Sequence, residues 1–138
     1  MSGFQSKKFG KDFEMGLDQY AYVASKPDTE YNDQSRQEIA YWRKHPSLHG
    51  WMEQLWERKG RPRQSVGWPI FNGIELELTW DDLDELERAI RHKQLPSTEG
   101  FFFGNPADSH YYKQDLEFVN NAKAEVFLGL KVFYNSSW

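Results

Sequence analysis

The chain contains no cysteine, which excludes disulfide frameworks, thiolate nucleophiles and cysteine-ligated zinc. No apolar run approaches the roughly 18 residues that a membrane-spanning helix needs, so no membrane partner is expected. Met1 to Lys8 lacks the apolar stretch of a secretion signal. Cytoplasm is therefore the expected compartment. There is no glycine-rich nucleotide motif, no internal repeat and no heptad pattern. Hydrophobic residues make up only 38% of the chain, yet aromatic residues alone reach 17%. The 138 residues suffice for one core without staples. Buried rings would explain much of the aromatic content, but Tyr and Trp are also the residues that dominate binding hot spots.

Net charge is −4, unevenly spread. Residues 37 to 63 hold six Arg and Lys against three Asp and Glu, whereas residues 64 to 138 hold six against twelve. An anionic ligand meets its best field at Arg43, Lys44, Arg58, Lys59, Arg61 and Arg63, although a solvated surface carries charges of this kind too.

Residues 1 to 34 scatter Phe4, Phe9, Phe13, Tyr20, Tyr22 and Tyr31 among polar residues with no sustained period, which predicts a partly ordered N-terminal arm. Residues 35 to 138 then form a single α+β domain. Ser35 followed by Glu38 reads as a capping box, with Ile39 and Trp42 at helical spacing behind it. Pro46 interrupts, and Leu48, Trp51, Met52 and Leu55 trace a second amphipathic helix ending near Gly60. The alternation of Ile74, Leu76, Leu78 and Trp80 against Glu75 and Glu77 predicts a half-buried strand. Leu83, Leu86 and Ile90 mark a further helix with acids first and bases last. Tyr112, Leu116, Val119, Ala122, Val126 and Leu130 mark another, and Lys131 to Trp138 reads as a terminal strand. Three to four helices on a small two- or three-stranded sheet are expected. Between the last two helices, Gly100-Phe101-Phe102-Phe103-Gly104 is a turn whose rings leave in different directions, because glycine permits backbone conformations closed to other residues.

Several stretches stand together in a set order: Glu38-Ile39-Ala40-Tyr41-Trp42-Arg43-Lys44, His49 before Trp51, Leu95-Pro96-Ser97-Thr98 leading into the triple-Phe turn, Tyr111-Tyr112 with Asp115-Leu116, and Tyr134-Asn135-Ser136-Ser137-Trp138. This arrangement resembles a family of small tailed-bacteriophage and prophage proteins, over about residues 35 to 138. The resemblance implies a virus-encoded accessory protein acting in the host cytoplasm. It implies no activity, and with no nucleotide motif a kinase has no support.

The chemistry is spare. His45 and His49 have the i, i+4 spacing of zinc ligands, but Pro46 separates them and no third ligand is evident, so neither a metal nor a cofactor is expected. Ser136 and Ser137 lack a nucleophile setting and read as the end of a strand. Asp81, Asp82, Asp84 and Glu85 are explained by a helix start. What remains is Tyr41, Trp42, Arg43 and Lys44, with His49, Phe101, Phe102, Phe103, Tyr111 and Tyr112. These residues could simply build the core, form a protein hot spot, or hold a nucleotide between aromatic faces and a guanidinium. The expected function is non-catalytic binding of a host component, a protein first. The alternative is sequestration of a nucleotide, a nucleotide-derived signal or another small anionic ligand.

Overall fold

In the structure, a computed structural model describing residues 16–24, 36–64, 67, 70–96 and 106–138, three helices pack against an open four-stranded antiparallel sheet. The strands are β1 (Asp18–Ala24), β2 (Arg36–Arg43), β3 (Leu76–Leu78) and β4 (Lys131–Ser137), in the order β2-β1-β4-β3. The helices are α1 (Pro46–Arg58), α2 (Trp80–Arg91) and α3 (Pro106–Phe127).

The α+β architecture agrees with the expectation, but the sheet has four strands where two or three were expected, and two of them were not read as strands. Both lie near the start of the chain. Asp18–Ala24 falls inside the stretch read as an arm, yet it is bonded to β2 on one side and β4 on the other. Its inward face is Gln19, Ala21 and Val23, all buried, while Tyr20 and Tyr22 face the other way. A buried amide at the head of the inward face, with amphipathic rings opposite, erases the hydropathy alternation that announces a strand.

The segment from Arg36 to Arg43, read as a helix start, is edge strand β2. The register passes from Ala21↔Ala40 to Tyr22↔Glu38, so Ile39 is an extra residue in a bulge. That extra residue places Ile39 and Trp42 three apart, which mimics helical spacing. Ser35 lies outside the described residues; among them a capping box stands at α2, where the Thr79 hydroxyl accepts from the Asp82 N–H and the Asp82 carboxylate accepts from the Thr79 N–H.

The other elements follow their patterns, except that Leu130, read as the last residue of a helical stripe, lies beyond α3 in the turn that ends it. Pro46 opens α1 in the first helical turn, where a missing N–H costs nothing. Leu48, Trp51, Met52, Leu55 and Trp56 bury the face of α1. Leu76 and Leu78 point inward from β3, whereas Trp80 starts α2 and is partly exposed rather than sharing the strand face. Leu83, Leu86 and Ile90 from α2 and Phe118, Val119 and Ala122 from α3 complete the core with Val132 and Tyr134 from β4. The triple-phenylalanine turn, with Gly100 and Gly104, lies outside the described residues.

All three helices end in the same 6→1 turn: the Arg61, Gln94 and Leu130 N–H groups donate to the Trp56, Ala89 and Glu125 carbonyls. The left-handed residue at that turn is Gly60 after α1 and Gly129 after α3, but Lys93 after α2.

Because β1 supplies the only strand partner that β2 has among the described residues, a chain beginning at residue 35 is expected to show no cooperative thermal transition. A sharp melt of that truncated protein, with helix content retained by circular dichroism, would contradict the placement of β1.

Candidate functional site

Trp42, the last inward residue of β2, is buried and meets Phe118 edge-to-face at 5.1 Å. Burial obliges its indole N–H to find an acceptor, and Nε1 donates to Asp115 Oδ1 of α3 at 2.9 Å. The other oxygen of Asp115 lies 2.8 Å from His45 Nε2. Since a carboxylate only accepts, His45 carries its proton on Nε2. The His45 ring is sealed from above by Tyr111, stacked at 4.2 Å and 12°. Tyr111 in turn donates its hydroxyl to the Arg43 carbonyl at 2.6 Å.

The backbone of His45 belongs to a second chain of bonds. Its N–H donates to Gln19 Oε1 at 2.7 Å, and Gln19 Nε2 donates both to the His45 carbonyl and to the Tyr134 hydroxyl, each at 3.1 Å. With one lone pair of Tyr134 so occupied, its own proton goes to His49 Nδ1, 2.8 Å away. Gln19, His45, His49 and Asp115 are each at most 2% exposed. Burial alone pushes the His49 imidazole down to about 4, and burial, first among several causes, holds the Tyr134 phenol far above its ordinary range. His49 is therefore neutral, as its role of acceptor from Tyr134 requires.

An Asp–His pair is also the orienting half of a hydrolase triad. Here the imidazole is 1% exposed and lies under Tyr111, so substrate has no route to it in this conformation. The arrangement joins elements rather than presenting a base. Among the described residues no group of three or more His, Asp or Glu side chains is placed to hold a metal ion.

The residues singled out from the sequence thus divide. Trp42 and His49 are interior. Tyr41, 42% exposed, and Arg43, whose side chain is 63% exposed, stand on the outer side of β2. Tyr41 donates to Asp18 Oδ1 at 2.7 Å, and the Arg43 guanidinium lies 3.6 Å from the same oxygen. Lys44 follows in left-handed backbone at φ 63°. Tyr111 and Tyr112 are half-buried on α3 beside them. Phe101, Phe102 and Phe103 lie outside the described residues. Gln19 and Asp115 were not singled out as site residues, and no local motif marks them, since their partners lie 26 to 115 residues away in the chain.

The basic segment also divides. Arg58, Lys59, Arg61 and Arg63 pair with Glu85, Asp82, Glu57 and Glu75, so the cations toward the end of α1 and beyond it are engaged in ion pairs. Arg43 and Lys44 lie at the opposite end of α1.

Compared with protein-family models, curated proteins and solved structures, the chain matches none.

The depressed His49 has a consequence for stability. Between pH 6.5 and about 4 the unfolded chain takes up a proton that the folded protein refuses. The contribution of His49 is full above pH 6.5 and is lost as pH falls toward 4. Urea unfolding at pH 7 and pH 4.5 is expected to show the wild type losing about 2 to 3 kcal/mol more than His49→Asn, in which the amide oxygen replaces the Nδ1 acceptor. Equal losses in the two proteins would contradict a neutral, desolvated His49.

Proposed function

We propose that the protein is a phage- or prophage-encoded accessory protein that works in the host cytoplasm by binding a host protein, without catalysis. The contact surface is the end of β2 carrying Tyr41, Arg43 and Lys44, flanked by Tyr111 and Tyr112. The observation that carries this reading is the division of polar groups. The imidazoles and the carboxylate that chemistry would use are spent on one another inside, while a tyrosine and a cation of hot-spot type stand outside, held in place by Asp18.

β2 is an edge strand, and an exposed edge invites pairing with a foreign strand. At this end the invitation is blocked. The edge-facing carbonyls of Tyr41 and Arg43 accept from the Gln114 amide at 2.7 Å and the Tyr111 hydroxyl at 2.6 Å, both from α3. A partner therefore meets side chains rather than a free backbone ladder, which favours a specific side-chain interface over strand addition.

The test compares wild type with a Tyr41→Ala/Arg43→Ala double variant immobilised against bacterial lysate. Both positions are solvent-facing, so the variant is expected to melt within about 3 °C of wild type. A defined protein retained in stoichiometric amount by the wild type and lost by the variant is the expected result. The same proteins retained by both would overturn the assignment of the surface. Calorimetric binding of a mono-, cyclic or oligonucleotide that the variant abolishes, with no protein retained, would replace it with the sequestration reading.

A further inference from the structure

We infer that the partner docks an acidic segment on the end of the domain where Arg43, Lys44 and Lys93 surround Tyr111 and Tyr112. The inference rests on the protein-binding reading above and names the chemistry of the partner.

The residues are brought together by α3. Its Tyr111 hydroxyl bonds the Arg43 carbonyl, and the ring of the next residue, Tyr112, lies 4.8 Å from Lys93 Nζ. Lys44 follows Arg43 directly, next to the carbonyl that Tyr111 bonds, and Lys93 follows the end of α2, so two exposed lysines come from different elements to the neighbourhood of consecutive tyrosines. Among the described residues the one carboxylate paired with this group is Asp18, at 3.6 Å from Arg43. Lys44 and Lys93 have no ion pair among the described residues, in contrast to Lys59, Arg61 and Arg63.

The backbone of both lysines is strained. Non-glycine residues at positive φ among the described residues are Lys44, Arg61, Arg63 and Lys93. At Arg61 and Arg63 the side chain so placed enters an ion pair, with Glu57 and Glu75. At Lys44 and Lys93 it enters none. The helix ends supply an internal comparison, because the position Lys93 holds after α2 is glycine after α1 and after α3, at φ 88° and 93°. Where the turn alone matters the chain uses glycine. At Lys93 it keeps a long cation at a cost in backbone energy; that cation stands over the Tyr112 ring with no carboxylate paired to it among the described residues, which leaves its charge for a contact outside the fold.

An acidic protein segment fits better than a nucleic acid. Base stacking needs free ring faces. One face of Tyr111 is covered by the His45 ring, and Lys93 stands over Tyr112. The chain's net charge of −4 also opposes a long polyanion while leaving room for a short acidic stretch at one cationic end.

The experiment measures binding of a fluorescein-labelled octaglutamate peptide by anisotropy, at low ionic strength and at 0.3 M salt, with thermal melts of the same proteins. Lys44→Gly and Lys93→Gly keep the backbone N–H groups and relieve the strain. Each variant is expected to melt higher than wild type by about 2 to 4 °C. Each is expected to bind octaglutamate about threefold more weakly, and the double variant about tenfold, with wild-type binding lost at high salt. Failure of wild type to bind octaglutamate, variants that bind as well as wild type, or variants that melt no higher would each overturn the inference. So would binding of single-stranded oligothymidine in its place. A host protein captured equally by wild type and by the double lysine variant would leave the protein-binding reading standing and remove this inference. Octaglutamate binding through the two lysines with no host protein captured would keep the acidic-ligand surface and remove the host partner.

Discussion

His45 sits where β2 turns into α1, and three of its groups are bonded to side chains of two other elements. Its ring reaches Asp115 on α3, and its backbone N–H and carbonyl both meet Gln19 on β1. Through Gln19 the connection continues to Tyr134 on β4 and returns to α1 at His49. Each of these groups is out of reach of water, so each must find its partner inside or forfeit about 1 to 3 kcal/mol. Apolar packing tolerates sliding by a fraction of a side chain; a donor and acceptor in a dry interior do not. The bonds at His45 therefore fix the register of two strands and two helices at one point, and Trp42, bonded to the same carboxylate, extends that point to the inward face of β2.

That constraint decides what remains for function. A left-handed Lys44 precedes His45, because the chain must turn sharply from the strand to the proline-led helix while the His45 N–H stays aimed at Gln19. Tyr111 lies flat on the His45 ring and also caps the β2 edge at the Arg43 carbonyl. The exposed tyrosine and cations thus stand on a rigid floor built from the buried network. Rigid presentation lowers the ordering cost that an interface of long side chains otherwise carries. The proposed binding surface and the polar core are two sides of the same residues, with odd-numbered Tyr41 and Arg43 outside and Trp42 inside.

Much of this arrangement could be read from the residues, and the unread part has a physical cause. Stripes such as Leu83, Leu86 and Ile90, or Leu48, Trp51, Met52 and Leu55, bury one face of a helix and show it in their spacing. β3 likewise alternates openly, and β4 shows as a short apolar run, Val132 to Tyr134, all three buried. β1 and β2 do not, since a buried Gln19 interrupts one inward face and the Ile39 bulge shifts the other. Pairing along β1 is non-local, and local pattern carries no record of a partner more than 100 residues away. The same reason hid Asp115 and Gln19. Tyr41 to Lys44 stood out by composition, but only the fold separates the interior Trp42 from its exposed neighbours. His45 and His49, four apart, looked like metal ligands by spacing and instead serve as an Asp115 donor and a Tyr134 acceptor in a dry core.

The most direct measurement of this account is the stability of Asp115→Ala by urea unfolding at neutral pH. Removing the carboxylate leaves the Trp42 indole N–H and the His45 Nε2–H buried with no acceptor, and a loss of about 3 to 5 kcal/mol is expected. A loss under about 1 kcal/mol, with the native near-ultraviolet spectrum retained, would contradict the claim that the fold is tied together at His45 and Asp115.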